Sequence, residues 1–131
     1  MNTNSYLSIQ PSYCFFDEEK FKDLTCGYDE VMIETAEAFV KYTPVMVEDL
    51  MQSVLAHDRE RTKYAIHKLK SSTTLLASQA VVLDITDLEK SAELVSMQAL
   101  TSSAFCVKEV ILRLLDEVDQ FLKNQFVLKA A

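Results

Sequence analysis

Glycine is nearly missing from this chain: 131 residues contain one Gly, with two Pro, no Trp and three Cys. Primed β-turns, phosphate-cradling loops and dinucleotide fingerprints need residues that tolerate positive φ, usually Gly, so hairpin-rich β folds and nucleotide-binding loops are disfavoured. Cys14, Cys26 and Cys106 are odd in number and show no CxxC spacing. That argues against a disulfide framework or a zinc knuckle and suits reduced thiols in a cytoplasmic setting. No stretch approaches roughly 18 consecutive apolar residues, and the opening MNTNSYLSIQPSYCF has neither a basic start nor an apolar run, so no membrane span or secretory leader is expected. A start at Met1 suggests a free-standing protein, with a piece of a longer multidomain chain as the alternative.

Positive charge is also in the minority. Twenty acids against 13 Lys and Arg give a net charge of −7, which argues against nucleic acid or an anionic membrane as the main partner. What remains is a chain 49% hydrophobic and long enough for one continuous core without staples. A helical domain is the default.

The pattern along the chain supports that default. Residues 1–14 are polar, carry Pro11 and read as an extended arm; residues 15–128 read as one helical domain. Asp17 is placed to cap a short helix, with acids in its first turn and Phe16 against Phe21 as a staple; Gly27 is placed to end it. A second helix is expected over about Asp29 to Tyr42. Thr43-Pro44 should end it and start a third, carrying Val47, Leu50, Met51, Val54 and Leu55 on one face. Asp58 should cap a fourth helix, from about Arg59 to Ser78. Val81, Ile85, Leu88, Ala92 and Val95 define a fifth. Thr101-Ser102-Ser103 reads as a loop and cap before a last helix carrying Val107, Ile111, Leu114, Val118, Phe121 and Leu122. Short connections make sequential helices antiparallel neighbours, so the expected fold is an all-α, up-down four-helix bundle with a short extra N-terminal helix.

One window departs from the acidic background. Arg59, Arg61, Lys63, Lys68 and Lys70 are opposed there by Glu60 alone, a local charge of about +4. At about 100° per residue, His67 lies roughly 160° from Leu69, so it points away from the buried side. Lys63, Lys70, Ser71 and Thr74 share its face at i−4, i+3, i+4 and i+7. An exposed imidazole among ammonium groups and small hydroxyl side chains suits a phosphoryl carrier. Lysines nearby disfavour the imidazolium and then favour the dianionic product, while small neighbours let a partner reach the ring. Such an ion pair is worth about 1 kcal/mol in bulk water and about 4 near a protein surface, enough to tune the equilibrium without burying the group. His57, beside the Asp58 cap, reads as a surface or capping residue. Arg59 and Arg61 read as a solvated helix start, Lys68 is turned aside, and Tyr64 is either core edge or docking surface. The acid pairs Glu18-Glu19 and Asp116-Glu117 read as helix exterior and lack the His partners of a carboxylate-metal bundle, so no metal site is expected.

The run Ala65-Ile66-His67-Lys68-Leu69-Lys70-Ser71-Ser72 resembles the motif of histidine-containing phosphotransfer (HPt) domains, His-x-Leu-Lys followed by Gly and small residues. Phe39, Pro44 and the Leu50 to Leu55 stripe upstream, and Leu88-Glu89 downstream, extend the resemblance over roughly residues 15–125. It implies that His67 is the phosphorylated residue, that Lys70, with Lys63 in support, stabilises the phosphoryl group, and that Ser71 and Thr74 keep access open. Tyr64 and Lys68 would then contribute to partner docking. Ser71 and Ala77 stand where the family commonly has Gly. The resemblance further implies a monomeric, cytoplasmic carrier rather than an enzyme in its own right, with no cofactor of its own. Its partners would be response-regulator receiver domains, which supply Mg²⁺, and a histidine kinase or hybrid kinase. The alternative is a helical module that docks and inhibits a receiver or kinase without carrying phosphate.

Overall fold

A computed structural model describes residues 13–130. Five helices follow in order: α1 (Glu18–Leu24), α2 (Asp29–Leu55), α3 (Arg59–Thr73), α4 (Gln79–Ser91) and α5 (Met97–Ala130). The fold is all-α as the patterning predicts. Among the described residues, extended pairing is limited to one antiparallel bridge between Phe16 and Ala77. Helix α2 packs on α3, α3 on α4 and α4 on α5, and α5 returns to α2, an arrangement compatible with a four-helix bundle. Most of the arm expected over residues 1–14 lies outside the described residues.

Polar caps fix where the helices begin. The side chains of Asp17, Asp58 and Ser96 accept from the backbone N–H of Lys20, Arg61 and Ala99 at 2.9, 3.1 and 3.1 Å. Two helices end alike. The Gly27 and Cys26 N–H groups bond back to the Lys22 and Asp23 carbonyls at the end of α1, and Asp58 and His57 bond back to Ser53 and Val54 at the end of α2. The left-handed residues that make these closures are Cys26 (φ 57°), Gly27 (φ 73°) and His57 (φ 56°). His57 is therefore an exposed helix terminator, as its position beside the cap predicts.

Three expected boundaries move. Pro44 does not divide the second and third expected helices; α2 runs continuously through it. A proline inside a helix costs about 3 kcal/mol, but Ala36, Phe39, Thr43, Val47 and Leu50 are all buried on the same side of α2 across the proline. Burying each large apolar side chain contributes about 1.5–3 kcal/mol, and together they exceed the cost of the break. Thr43, expected as a cap, is instead fully buried, its hydroxyl 3.4 Å from that of Ser72. Leu55, expected on the apolar face, is exposed at the last residue of α2.

Helix α3 stops at Thr73 rather than Ser78, because Ala77 pairs with Phe16 and Ser78 caps α4. The Thr101–Ser103 cluster lies inside α5, with the Thr101 hydroxyl donating to the Met97 carbonyl at 2.7 Å. Its hydroxyl bonds along the helix instead of breaking it.

The core is continuous from Phe16 to Leu122. Phe16 meets Phe21 and Phe121 edge to face, with ring centroids 5.8 and 5.2 Å apart. Buried hydroxyls are satisfied within it: Ser53 donates to the Leu50 carbonyl, and Thr62 to the Asp58 carbonyl and to Ser53.

Glu117, expected on the solvated exterior, is half-buried and accepts three backbone N–H groups, from Cys14, Phe15 and Phe16, at 3.0, 2.8 and 2.9 Å. With the Phe16–Ala77 bridge and the Asp17 N–H bonded to the Leu76 carbonyl, this carboxylate straps the segment before α1 across α5 and the α3–α4 turn. Hydrogen bonds to a charged group contribute about 1.5–3 kcal/mol each when removed, with losses that overlap at one site. Glu117→Ala is expected to lower unfolding free energy by about 2–3 kcal/mol, read from urea midpoints at unchanged m-value. A change below about 0.5 kcal/mol would show the segment to be held by Phe16 packing and the backbone bonds to the α3–α4 turn without Glu117.

Candidate functional site

Helix α3 turns Ala65, Ile66 and Leu69 into the core, which leaves His67 outside. Its side chain is 71% exposed. The geometry that orients it comes from the neighbouring helix. Glu89 of α4 places one carboxylate oxygen 3.2 Å from His67 Nδ1 and the other 3.0 Å from Lys70 Nζ. An ionised carboxylate can only accept, so Nδ1 is the donor in this contact and Nε2 is the ring nitrogen left without a partner among the described residues. Hydrogen bonds from Lys70 first, and then from His67, hold the Glu89 carboxyl below the usual carboxylate range.

The remaining cations of the basic window are engaged as well. Lys63 pairs with Glu93 and, at 3.6 Å, with Glu60. The hydrogen bond to Glu93 is the main cause that raises the Lys63 ammonium above its ordinary value. Arg59 donates to the Ala92 carbonyl at the end of α4, and Arg61 pairs with Asp49 of α2 at 2.7 Å. Arg59 and Arg61, expected as a solvated start, therefore tie α3 to its neighbours. Lys68 lies over the exposed ring of Tyr64, 5.6 Å from its centroid. Apart from Lys68, the +4 run is thus met by partners on α2, on α4 and in the turn after α4, and Lys63 is directed toward Glu93 and Glu60.

The small residues keep the ring uncovered. Ser71 donates to the His67 carbonyl at 3.1 Å and Thr74, just past the end of α3, to the Lys70 carbonyl at 2.6 Å. Ser71 is therefore bonded to backbone and not aligned on the imidazole, unlike the serine of a Ser-His-acid triad. Among the described residues, no group of three His, Cys, Asp or Glu side chains is placed to hold a metal. No helix among the described residues is long and apolar enough to cross a membrane.

Beside His67, on the side of α3 that faces α2, the surface is apolar. Tyr42, Val45 and Tyr64 are more than half exposed. Two shallow grooves lie along this seam, one of about 310 Å³ lined by residues including Tyr42, Met46, Ser71 and Leu75, the other of about 170 Å³ lined by residues including Val45, Asp49 and Lys68. The site therefore joins an exposed imidazole, a neighbouring ammonium and an exposed apolar surface.

Of the sequence-predicted residues, His67 and Lys70 come together through Glu89; Lys63 pairs instead with Glu93 and Glu60, and Lys68 lies over the Tyr64 ring. Glu89 was visible only as part of the Leu88-Glu89 pair. Its signal was the match between lysines seven apart on one helix, Lys63 and Lys70, and acids four apart at the end of the next helix and in the turn after it, Glu89 and Glu93. Comparison with protein-family models, with curated proteins and with solved structures returns no match to this chain.

Because Lys70 is the leading cause of the depressed Glu89 carboxyl, its contribution to stability is present above the ordinary value near 4.3 and is lost as pH falls through the lower folded value. In Lys70→Met the Glu89 carboxyl is expected to titrate at higher pH than in the parent, followed by ¹³C NMR of its side-chain carbon. An unchanged midpoint would show that the Lys70 pair is absent in solution.

Proposed function

We propose that this chain is a histidine phosphotransfer protein that relays a phosphoryl group between receiver-domain aspartates in a cytoplasmic two-component phosphorelay. The observation that carries this reading is an exposed imidazole held by a carboxylate at Nδ1, with Nε2 free and an ammonium sharing that carboxylate. The motif resemblance around His67 supplies the class of partner.

In the transfer, the phosphorus–oxygen bond of the receiver's aspartyl phosphate breaks, and its electron pair stays on the aspartate. A phosphorus–nitrogen bond forms at His67 Nε2, while the Nδ1 proton remains shared with Glu89. Little covalent work falls to side chains in phosphoryl transfer; positioning and charge stabilisation dominate. Glu89 orients the ring, Lys70 faces the incoming charge, and the receiver supplies Mg²⁺. The α2–α3 seam around Tyr42, Val45 and Tyr64 offers the receiver an apolar surface next to the nucleophile, with Lys68 and Asp49 at its edge. The protein acts as a monomeric carrier, and a histidine kinase or hybrid kinase feeds the relay.

Incubation with a labelled phospho-receiver is expected to place acid-labile label on the parent chain and none on His67→Gln; undiminished label on that variant overturns the assignment. Glu89→Gln keeps a hydrogen-bond acceptor but loses the charge that fixes the tautomer, and is expected to slow label uptake by about tenfold with His67 still the labelled residue. Val45→Glu is expected to weaken receiver binding by about tenfold, or 1.4 kcal/mol, measured by calorimetry.

A second reading has one observation in its favour: Lys70 and Lys63 are already paired with acids. It makes the chain a module that docks a receiver or kinase and inhibits it without carrying phosphate. Receiver binding weakened by Val45→Glu, with no label at any receiver tested, would select it.

A further inference from the structure

Helix α4 shows different chemistry on its two flanks. The flank toward α3 carries Glu89, paired with Lys70, and the turn just past the helix continues it with Glu93, paired with Lys63. The flank toward α5 carries Asp84 and Asp87, both exposed and neither with a cation within 4 Å among the described residues. These two carboxylates form one wall of a groove of about 390 Å³ between α4 and α5. Leu88, Val107 and Val110 contribute apolar surface to it, and Cys106 stands on the α5 wall. Ser91 lines the groove near the end of α4, and its carbonyl accepts from the N–H of Leu94, whose side chain is 84% exposed.

We propose that the α4–α5 groove is a second docking surface, distinct from the His67 face, and that it takes a basic amphipathic helix from a partner protein. The charge pattern selects this occupant. Like charges one turn apart on a helix repel and destabilise it by a few tenths of a kcal/mol, and a cation laid between Asp84 and Asp87 relieves that repulsion. A trough between two packed helices accepts the side-chain ridge of a third. An amphipathic helix recognises such a site with apolar anchors in the trough and charges at its edge, and here the anchors would meet Leu88, Val107 and Val110. A purely polar basic segment would leave that apolar surface wet. Because Glu89 turns toward α3 while Asp84 and Asp87 turn toward α5, a partner seated here leaves the His67 ring open to a receiver.

The test uses the full chain and two synthetic peptides of equal charge: a 14-residue peptide of Leu and Lys patterned as an amphipathic helix, and one with Ser in place of every Leu. Alkylation of the exposed thiols supplies a local readout, since Cys106 lies in the groove while Cys14 and Cys26 lie outside it. The Leu/Lys peptide is expected to slow alkylation of Cys106 at least fivefold and to leave Cys26 unchanged. Asp84→Asn with Asp87→Asn is expected to weaken binding by about tenfold, whereas Glu34→Gln with Glu37→Gln, two exposed acids on α2, is expected to leave it within twofold. Equal binding of the Ser/Lys peptide, equal weakening by the α2 variants, or no protection of Cys106 would each overturn the proposal. None of these readouts depends on phosphate transfer.

Discussion

Burial along one side of α2 is the constraint on which the bundle depends. This helix packs on both α3 and α5, so its stripe from Met32 to Val54 is shared by two interfaces. A break at Pro44 would have let the two halves tilt apart and exposed the seam between them. Because the stripe holds, Tyr42 and Val45 stay on one rigid rod beside α3, and the apolar surface next to His67 keeps a fixed shape.

The second organising interaction is electrostatic and runs between α3 and α4. Lys70 and Lys63 meet Glu89 and Glu93, while Arg59 reaches the carbonyl end of α4. Exposed ion pairs contribute little each, about 0–1 kcal/mol, so their importance lies in orientation more than in stability. Glu89 carries the only one of these contacts that also touches the imidazole. In the proposed transfer, an incoming phosphoryl group would meet a lysine that already has a partner, and would have to compete with Glu89 for it.

Much of this was legible in the residue order. Caps at Asp17 and Asp58, the Gly27 terminus and the apolar spacing of α4 and α5 are local signals, and local hydrogen-bonding and packing rules fix them. The exposed placement of His67 followed from its angle to Leu69 alone. What stayed hidden was non-local. Pro44 carries a strong local breaking signal, and only burial against two other helices overrides it. Thr101–Ser103 reads as a cap until Ser96 is seen to cap the helix earlier. Glu117 looks like an ordinary surface acid, because its three partners are backbone groups more than a hundred positions away. The basic window looked free for the same reason: every acid that pairs with it, apart from Glu60, lies outside the window, on another helix or in the turn after α4.

The Glu117 strap also has a bearing on the order of folding. It joins the segment just before the first helix to the middle of the last one, across 101 to 103 positions. Contacts of such long sequence separation form late, since their loop-closure entropy is unfavourable until the intervening chain is already compact. During synthesis, Phe16 emerges before the helices of the bundle and has no carboxylate to receive it until α5 has left the ribosome. The first residue of this core to be made is thus among the last to be seated, and the bundle is clasped shut only once its last helix has been translated.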